Sequence, residues 1–294
     1  MTPRFLMIFL RLAAACAIGF GSVQVIASDP ASLKARHAEL RDRLANNNFQ
    51  RAMYIDSAET GDNLKGDVYA VLDHPFSVVS RELKEPANWC EILILPFNTK
   101  YCHPVNGGQG LQVRIGRKFD QPVQNAYRLE FVYRGVAATP EYFESRLAAT
   151  QGPLGTRDYR IIVAAVPLDD KRTFLHLSYS YGYGIAGRMA MQAYLATVGA
   201  DKVGFSVSGK DSHGKPIYQG GVRGAVERNA MRYYLAIDAY LDSLGTPREQ
   251  QVERRIQNWF NATERYPRQL HEMDRLTYVA MKRNEVERQQ SMIH

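Results

Sequence analysis

Apolar side chains recur at helical spacing in several stretches of the chain. The longest stretch covers residues 224–244. Its apolar positions lie three or four residues apart, at Val226, Ala230, Tyr233, Ile237, Leu241 and Leu244. Charged residues, Glu227, Arg228, Asp238 and Asp242, fall outside this face, and the pattern is typical of a helix that buries one face. Further helices are predicted over residues 32–46, 75–83, 189–197, 247–266 and 268–288.

Elsewhere the pattern is that of strands, which show short apolar runs or alternation of apolar and polar residues. Strands are predicted over residues 68–72, 92–95, 111–115, 127–133, 159–166, 173–183 and 202–207. The short turn-like break at residues 167–171 favours antiparallel pairing, because parallel strands need long crossover connections. We therefore predict an α+β protein with an antiparallel sheet.

The first 27 residues have the layout of a secretory signal peptide. Arg4 and Arg11 precede the apolar run 12–20, no acidic residue is present, and a small residue ends the segment. A retained membrane anchor is one alternative, although the run is shorter than the ~20 residues of a membrane span. A lipid-modified Cys16 is another. We expect an exported protein, with the periplasm as its compartment.

Two cysteines, Cys90 and Cys102, lie outside that segment. In an oxidising compartment, an even pair that closes a short loop indicates a structural disulfide. Two buried free thiols are the alternative. A metal site is disfavoured, because the neighbours Cys102 and His103 would point to opposite faces of a strand. No metal ion and no other cofactor is expected.

Composition excludes several classes of protein. The 294 residues are 45% hydrophobic and 23% charged, as in an average globular chain, which argues against disorder and against a polytopic membrane protein. The net charge of +7 comes from 37 basic and 30 acidic residues that are mixed along the sequence. No nucleic-acid partner is therefore expected.

One local pattern carries a family resemblance. A predicted strand at 68–72 precedes a His-Pro pair that begins at His74 and opens a helix, and Glu85-Pro-x-x-Trp89 leads into the next apolar run. This order resembles the opening of START-like domains, which include polyketide cyclases and the birch-pollen allergen. The resemblance spans about residues 49–244. It implies a helix-grip fold, in which a curved antiparallel sheet wraps around a long C-terminal helix.

The resemblance also implies a division of the chain and a kind of ligand. The predicted parts are a signal peptide (1–27), an N-terminal helix (28–48), the START-like domain (49–245) and a helical tail (246–294). Residues 185–223 form an insert that the family pattern lacks. The gap between sheet and helix in such domains is commonly a cavity for lipids, sterols, polyketides or aromatic compounds.

Three tyrosines are the first candidates for lining that cavity. Tyr179, Tyr181 and Tyr183 occupy alternate positions of a predicted strand and share one sheet face. If that face is concave, their hydroxyl groups would anchor a polar group of the ligand, with Tyr234 or Ile237 opposite. An exterior aromatic stripe is the alternative. The predicted ligand-binding set is Trp89, Phe131, Tyr133, His176, Tyr179, Tyr181, Tyr183 and Tyr234.

A charged cluster lies at the start of the long predicted helix. Arg223 and Glu227 are four residues apart and are expected to bridge, whereas Arg228 and Arg232 repel each other. A solvated helix face is the favoured interpretation. The alternative is an arginine that binds an acidic group of a ligand or a lipid phosphate through paired hydrogen bonds.

Residues 182–187 match the pattern G-x-G-x-x-G. A dinucleotide site is disfavoured, because parallel βαβ units do not surround the motif. The glycines are expected to let the strand turn sharply.

These observations lead to three functional hypotheses. The first is a binding or carrier protein for a hydrophobic small molecule or lipid, with contact to a membrane surface as a further expectation. The second is a cyclase- or hydrolase-like enzyme that uses His176, a tyrosine or Glu227 as acid or base. The third is a structural envelope protein whose basic tail binds a partner or an anionic lipid surface.

Overall fold

An eight-stranded antiparallel sheet forms the centre of the structure, a computed structural model that describes residues 29–197 and 199–291. The strands are β1 (Met53–Thr60), β2 (Asn63–Leu72), β3 (Thr99–Val105), β4 (Gly110–Ile115), β5 (Tyr127–Ala138), β6 (Phe143–Gln151), β7 (Thr156–Pro167) and β8 (Thr173–Tyr183). Their order across the sheet is β1-β2-β8-β7-β6-β5-β4-β3. The predicted targeting segment lies outside the described residues.

Helices cover both faces of this sheet. They are α1 (Pro30–Ala45), α2 (Phe76–Leu83), α3 (Pro86–Leu93), α4 (Ile185–Ala196), α5 (Gly221–Ser243), α6 (Arg248–Glu264), α7 (Pro267–Leu270) and α8 (Arg275–Ser291). A small hairpin of β9 (Val207–Lys210) and β10 (Pro216–Tyr218) lies between α4 and α5. None of the helices in residues 29–197 and 199–291 has both the length and the apolarity that a membrane span requires.

The long helix α5 packs directly on the sheet. Val226 and Ala230 face β2 at Gly66, where a Cβ atom would lie 3.1 Å from the Val226 carbonyl oxygen. Glycine at this position therefore lets the helix approach the strand closely. The helix is continuous and slightly longer than the predicted 224–244. The α+β class and the packing of a long helix on an antiparallel sheet agree with the helix-grip prediction.

The opposite face of the sheet is covered by α1. Leu33, Leu40 and Leu44 of this helix form a second apolar cluster with side chains from β7 and β8, among them Phe174. In β8 the odd-numbered residues from Leu175 to Tyr183 belong to the main core under α5. The even-numbered residues therefore face α1 or solvent, as the period of two in a strand requires.

Two predicted strands were wrong. Residues 92–95 lie at the end of α3 and beyond it, where Trp89, Cys90, Ile92 and Leu93 are all buried. A short apolar run does not distinguish a buried strand from a buried helix, and Pro86 favours the helix because proline suits its first turn. Of residues 202–207, only Val207 belongs to a strand, the first position of β9.

The two cysteines form a disulfide between α3 and β3. Cys90 and Cys102 have Cα atoms 5.1 Å apart. Both side chains are buried in the main core. The predicted disulfide is therefore present in the structure.

Residues 246–294 contain helices α6 to α8 in the described part of the segment. Helices α6 and α7 pack against α5, and α8 packs against β3 and α6. The rings of Phe97, Trp259 and Tyr278 meet with centroids 4.9–5.2 Å apart. Beside them, Glu285 accepts from the ammonium groups of Lys100 (2.8 Å) and Lys282 (2.7 Å). We call these six residues the tail interface. All six side chains are buried, so the last helices complete part of the core.

Candidate functional site

A cavity of about 310 Å³ lies between α5, the inner face of β7 and β8, and α4. Its wall is mainly apolar and aromatic. The residues from the sheet and its loops are Asn98, Ile115, Lys118, Pro153, Leu154, Thr156, Tyr159, Tyr179 and Tyr181. The residues from the helices are Gly187, Ala190, Met191, Tyr194, Ala225, Arg228, Asn229 and Arg232.

Three tyrosines form the sheet side of the cavity. The rings of Tyr159 and Tyr181 stack at 5.3 Å, and Tyr179 lies 5.7 Å from Tyr181. The Tyr159 hydroxyl donates to the Thr156 hydroxyl (2.8 Å). The hydroxyls of Tyr179 and Tyr181 have no hydrogen-bond partner among the described residues, although both side chains are buried. Neither hydroxyl oxygen is fully enclosed by the protein, so both are available to a ligand in the cavity.

An apolar pocket of about 50 Å³ continues the cavity inward. It shares Ile115, Tyr159 and Tyr179 with the main cavity and adds Leu129 and Phe131. Phe131, a predicted ligand-binding residue, therefore lies at the inner, apolar end of the site.

The other end of the cavity is cationic. Glu272 accepts from Lys118 (2.7 Å) and from Arg232 (2.5 Å) through the same carboxylate oxygen. Arg228 also lines the cavity here. We call these four residues and Tyr194 the cationic end. Lys118 and Arg232 share this carboxylate, and Arg228 pairs with no carboxylate among the described residues, so the cationic end carries an excess of positive charge.

Arg228 is the most buried of these cations, with 1% of its surface exposed. Its guanidinium donates to the Val203 carbonyl (3.3 Å) and to the Tyr194 hydroxyl (3.4 Å). Both distances are longer than a normal hydrogen bond, and a guanidinium has five donors. The Nε atom of Arg232 has no partner in the described part of the chain. Both arginines therefore keep unused donors beside the cavity.

The positive potential also acts on Tyr194. Burial alone would raise the pKa of Tyr194, but the nearby charges of Lys118 and Arg228 outweigh that effect and lower it. At the same end, burial raises the pKa of the Glu272 carboxyl, while Arg232 and Lys118 lower it to a net decrease. Both shifts indicate that this end favours negative charge.

The predicted solvated face of the charged cluster was wrong. Glu227 is fully buried, and its carboxylate accepts from the backbone N–H groups of Phe205 (2.6 Å) and Ser206 (2.9 Å). It also accepts from the Ser57 hydroxyl (2.6 Å). Arg223 donates to the Ser57 carbonyl (2.6 Å), and no bridge to Glu227 occurs among the described residues. The insert covers this face of the helix, an effect that helical spacing alone does not reveal.

Four predicted ligand-binding residues have hydroxyl, indole or imidazole groups bound elsewhere. The Trp89 indole donates to the Leu83 carbonyl (2.8 Å), and the Tyr133 hydroxyl donates to the Lys84 carbonyl (2.7 Å). The Tyr183 hydroxyl donates to Glu59 (2.7 Å). His176 lies 2.8 Å from the Asp67 carboxylate.

His176 and Tyr234 also lie away from the cavity for geometric reasons. His176 is an even-numbered residue of β8 and stacks on Tyr69 at 4.3 Å, on the face opposite the tyrosines. Tyr234 is buried on another side of α5, where the Arg51 guanidinium lies 5.1 Å from its ring centre. Of the eight predicted residues, Tyr179 and Tyr181 line the main cavity and Phe131 lines its extension.

Most helix residues of the site are not among the predicted ligand-binding residues, although the sequence carries a signal for them. Ala225, Arg228, Asn229 and Arg232 follow the spacing i, i+3, i+4, i+7 and share one helix face. All four line the cavity. This second, mixed face of α5 lies beside the purely apolar face that predicted the helix.

One cluster among the described residues has metal-ligand chemistry. Donor atoms of His74, Asp238 and Asp242 lie within 4.8 Å of one another. They are paired within the protein, because Asp238 binds Arg51 (2.8 Å) and His74 binds Asp242 (3.1 Å). The cluster therefore forms a network of ion pairs.

The glycine motif serves packing between β8 and α4. The surrounding sheet is antiparallel, unlike a dinucleotide-binding fold. A Cβ atom on Gly187 would lie 3.1 Å from the Tyr183 Cβ atom. Glycine here lets α4 begin close to the end of the strand and so close the cavity.

Comparison with solved structures finds partial likenesses. A START superfamily protein from Mycobacterium smegmatis is 11% identical, with 46% of this chain and 89% of that chain covered and a TM-score of 0.32. Norcoclaurine synthase from Thalictrum flavum, in complex with dopamine and hydroxybenzaldehyde, is 12% identical, with 50% and 81% covered and a TM-score of 0.32. A conserved protein from Geobacillus kaustophilus is 14% identical, with 46% and 85% covered and a TM-score of 0.32.

These matches include a protein of the superfamily that the sequence resembles. No protein-family model matches this chain. No curated protein matches it. The fold described above rests on the chain's own sheet order and on the packing of α5.

Proposed function

We propose that this protein is an exported binding or carrier protein for a hydrophobic small molecule or lipid. The observation that carries the proposal is the cavity beside Tyr179 and Tyr181. Its volume of about 310 Å³ falls in the range of small-molecule sites. Its wall is largely apolar, and the hydroxyls of Tyr179 and Tyr181 are accessible and have no hydrogen bond to another described residue.

The alternative hypotheses receive less support from the same geometry. Of the proposed acid or base groups, neither His176 nor Glu227 lines the cavity. Tyr179 and Tyr181 do line it, but burial raises the pKa of both hydroxyls, which opposes proton release. Trp259 and Tyr278 of the tail are fully buried, so the tail already has a packing role. The geometry therefore favours the binding hypothesis over the other two.

Export is part of the proposal. The signal-peptide layout of residues 1–27 and the Cys90–Cys102 disulfide both support it. Fractionation followed by intact-mass measurement of mature protein, alkylated without reduction, tests it. We expect a periplasmic product that lacks the first 27 residues and has no alkylated thiol. A full-length cytoplasmic product with alkylated Cys90 and Cys102 would contradict export.

Native mass spectrometry with organic extraction tests ligand binding. The purified protein should carry an additional mass that denaturing conditions release. Ala190→Trp places a large ring into the cavity from α4 and should remove this mass. Ala193→Trp is the matched control, because Ala193 is exposed on the same helix and does not line the cavity.

The control separates cavity binding from nonspecific association. Retention of the mass in Ala190→Trp would contradict binding in the cavity. Loss of the mass in both variants would assign it to the helix surface and would contradict the proposal equally.

A further inference from the structure

The charges at the cationic end do not balance within the part of the chain that the structure describes. Lys118 and Arg232 both pair with the carboxylate of Glu272, while Arg228 lines the same cavity without a carboxylate of its own among the described residues. Lys202 adds a fourth cation nearby, and burial is the largest of the effects that lower its pKa. A buried positive charge without a matching anion is costly, so this arrangement requires compensation.

Arg228 shows the imbalance most clearly. It is almost fully buried and has no carboxylate partner among residues 29–197 and 199–291. A purely structural arginine would be expected to use its donors more fully, as Arg255 does. The Arg255 guanidinium donates to Glu91, to the Ser243 hydroxyl (2.9 Å) and to the Gln251 side chain (2.9 Å).

The unused donors and the apolar wall belong to one cavity. Arg228 and the unpartnered Nε of Arg232 lie at one end, and Tyr159 and Tyr181 form the wall beside them. Beyond the tyrosines, the small pocket lined by Phe131 is apolar. A molecule that matches this order has an anionic group at one end and an apolar body at the other.

We propose that the ligand is an amphiphile with one anionic group, a carboxylate or a phosphate, which Arg228 binds at the cationic end. Its apolar body extends along Tyr159 and Tyr181 toward Phe131. A planar guanidinium with free donors suits both oxyanions, because it forms paired hydrogen bonds to them. This inference rests on the proposed binding function and specifies the ligand's chemical class.

Four probes test the inference with the ligand-free full chain by isothermal titration. Decanoate and decyl phosphate carry the anionic group, and decanol has a similar apolar body without charge. Inorganic phosphate has the charge without the apolar body. We expect decanoate or decyl phosphate to bind at least about tenfold more tightly than decanol, since hydrogen bonds to charged groups are the stronger ones. Inorganic phosphate should bind more weakly than decyl phosphate.

Two variants test whether Arg228 causes the preference for the anionic probes. Arg228→Met keeps a long side chain without charge and should abolish the preference for the anionic probes while decanol still binds. Arg188→Met is the control, because Arg188 is exposed, packs on Tyr183 and does not line the cavity. The comparison of decanoate with decanol on the unmodified protein tests the proposal even if Arg228→Met fails to fold.

The outcomes distinguish a failure of the proposed ligand class from a failure of the proposed binding function. Decanol that binds as tightly as both decanoate and decyl phosphate overturns the anionic class and leaves the binding function standing. Inorganic phosphate that binds as tightly as decyl phosphate overturns the amphiphile. The absence of a copurified mass, together with no binding of the three decyl probes, overturns the binding function itself. A preference for either anionic probe supports the inference, and the stronger one identifies carboxylate or phosphate.

Discussion

The tail interface and the cationic end both bury several cations, but they differ in how far those cations are satisfied. In the tail interface, Lys100 donates to the Phe97 carbonyl (2.9 Å), the Met281 sulfur (3.4 Å) and Glu285 (2.8 Å). Lys282 likewise has three acceptors: two backbone carbonyls and Glu285. Each ammonium thus uses its three donors.

At the cationic end the donors are only partly used. Arg228 has two long hydrogen bonds, and the Nε of Arg232 has none within the described residues. The same contrast holds for the neighbouring hydroxyls: that of Tyr278 donates to the Leu95 carbonyl (3.0 Å), whereas that of Tyr181 has no partner in the part of the chain that the structure describes. A polar cluster with its own partners holds helices together, and one that lacks them is suited to an external molecule.

The largest expected effect comes from removing the shared acceptor of the tail interface. Glu285→Gln leaves Lys100 and Lys282 buried without a negative charge, so unfolding free energy should fall by about 3–5 kcal/mol. Chemical denaturation measures this change. Glu287→Gln is the control, because Glu287 is exposed on the same helix, and it should change stability by less than about 0.5 kcal/mol. Equal effects of the two substitutions would contradict a structural role for the ion pairs of Glu285 with Lys100 and Lys282.

The pH dependence of stability tests the tail interface further. Burial, with a smaller effect of Lys100, lowers the pKa of Lys282 from the ordinary 10.5 of a lysine to about 8, although Glu285 opposes the shift. Between these values the unfolded chain holds a proton that the folded protein has released. The free energy of unfolding should therefore increase by about 2 kcal/mol from pH 8 to 9.5. Lys282→Met should lack this increase, and an unchanged slope would contradict the assignment.

Substitution of buried arginines compares the two regions directly. Arg228→Met removes an incompletely paired charge, so the stability of the ligand-free protein should stay equal or rise by about 1 kcal/mol. Arg255→Met removes a guanidinium in which each of the three nitrogens donates a hydrogen bond, and it should lower stability by about 1–3 kcal/mol. Thermal melts of both ligand-free variants measure the difference. A loss in Arg228→Met as large as in Arg255→Met would make Arg228 a structural residue.

Periodicity predicted the elements that have one clear apolar face. The helical spacing gave α2 and α5, and alternation in residues 173–183 gave β8 with its three tyrosines on one face. It missed β1, an edge strand in which only Met53, Ile55 and Ser57 are buried. It also assigned residues 92–95 to a strand, because a run that is apolar throughout has no period.

The site was less predictable because its chemistry depends on neighbours that are distant in sequence. The period of two placed Tyr179, Tyr181 and Tyr183 together, but it did not show that Glu59 binds the last hydroxyl. Val203 and Tyr194 of the insert contact Arg228, and no local pattern indicates such a contact. The sequence therefore predicted the type of each side chain and the face on which it lies, but not its hydrogen-bond partners.

The smallest expected effect distinguishes two tyrosines of the same strand. Tyr181→Phe removes a hydroxyl that has no partner among the described residues, so the melting temperature of the ligand-free protein should hardly change. Affinity for the bound ligand should fall by about 0.5–1.5 kcal/mol, the value of one hydrogen bond. Tyr183→Phe is the matched control, since its hydroxyl binds Glu59 (2.7 Å) and it does not line the cavity. It should lower stability by about 1 kcal/mol and leave affinity unchanged. Melting curves give the change in stability of each variant, and titrations give the change in affinity. A Tyr181→Phe variant that loses as much stability as affinity would make these tyrosines ordinary core residues.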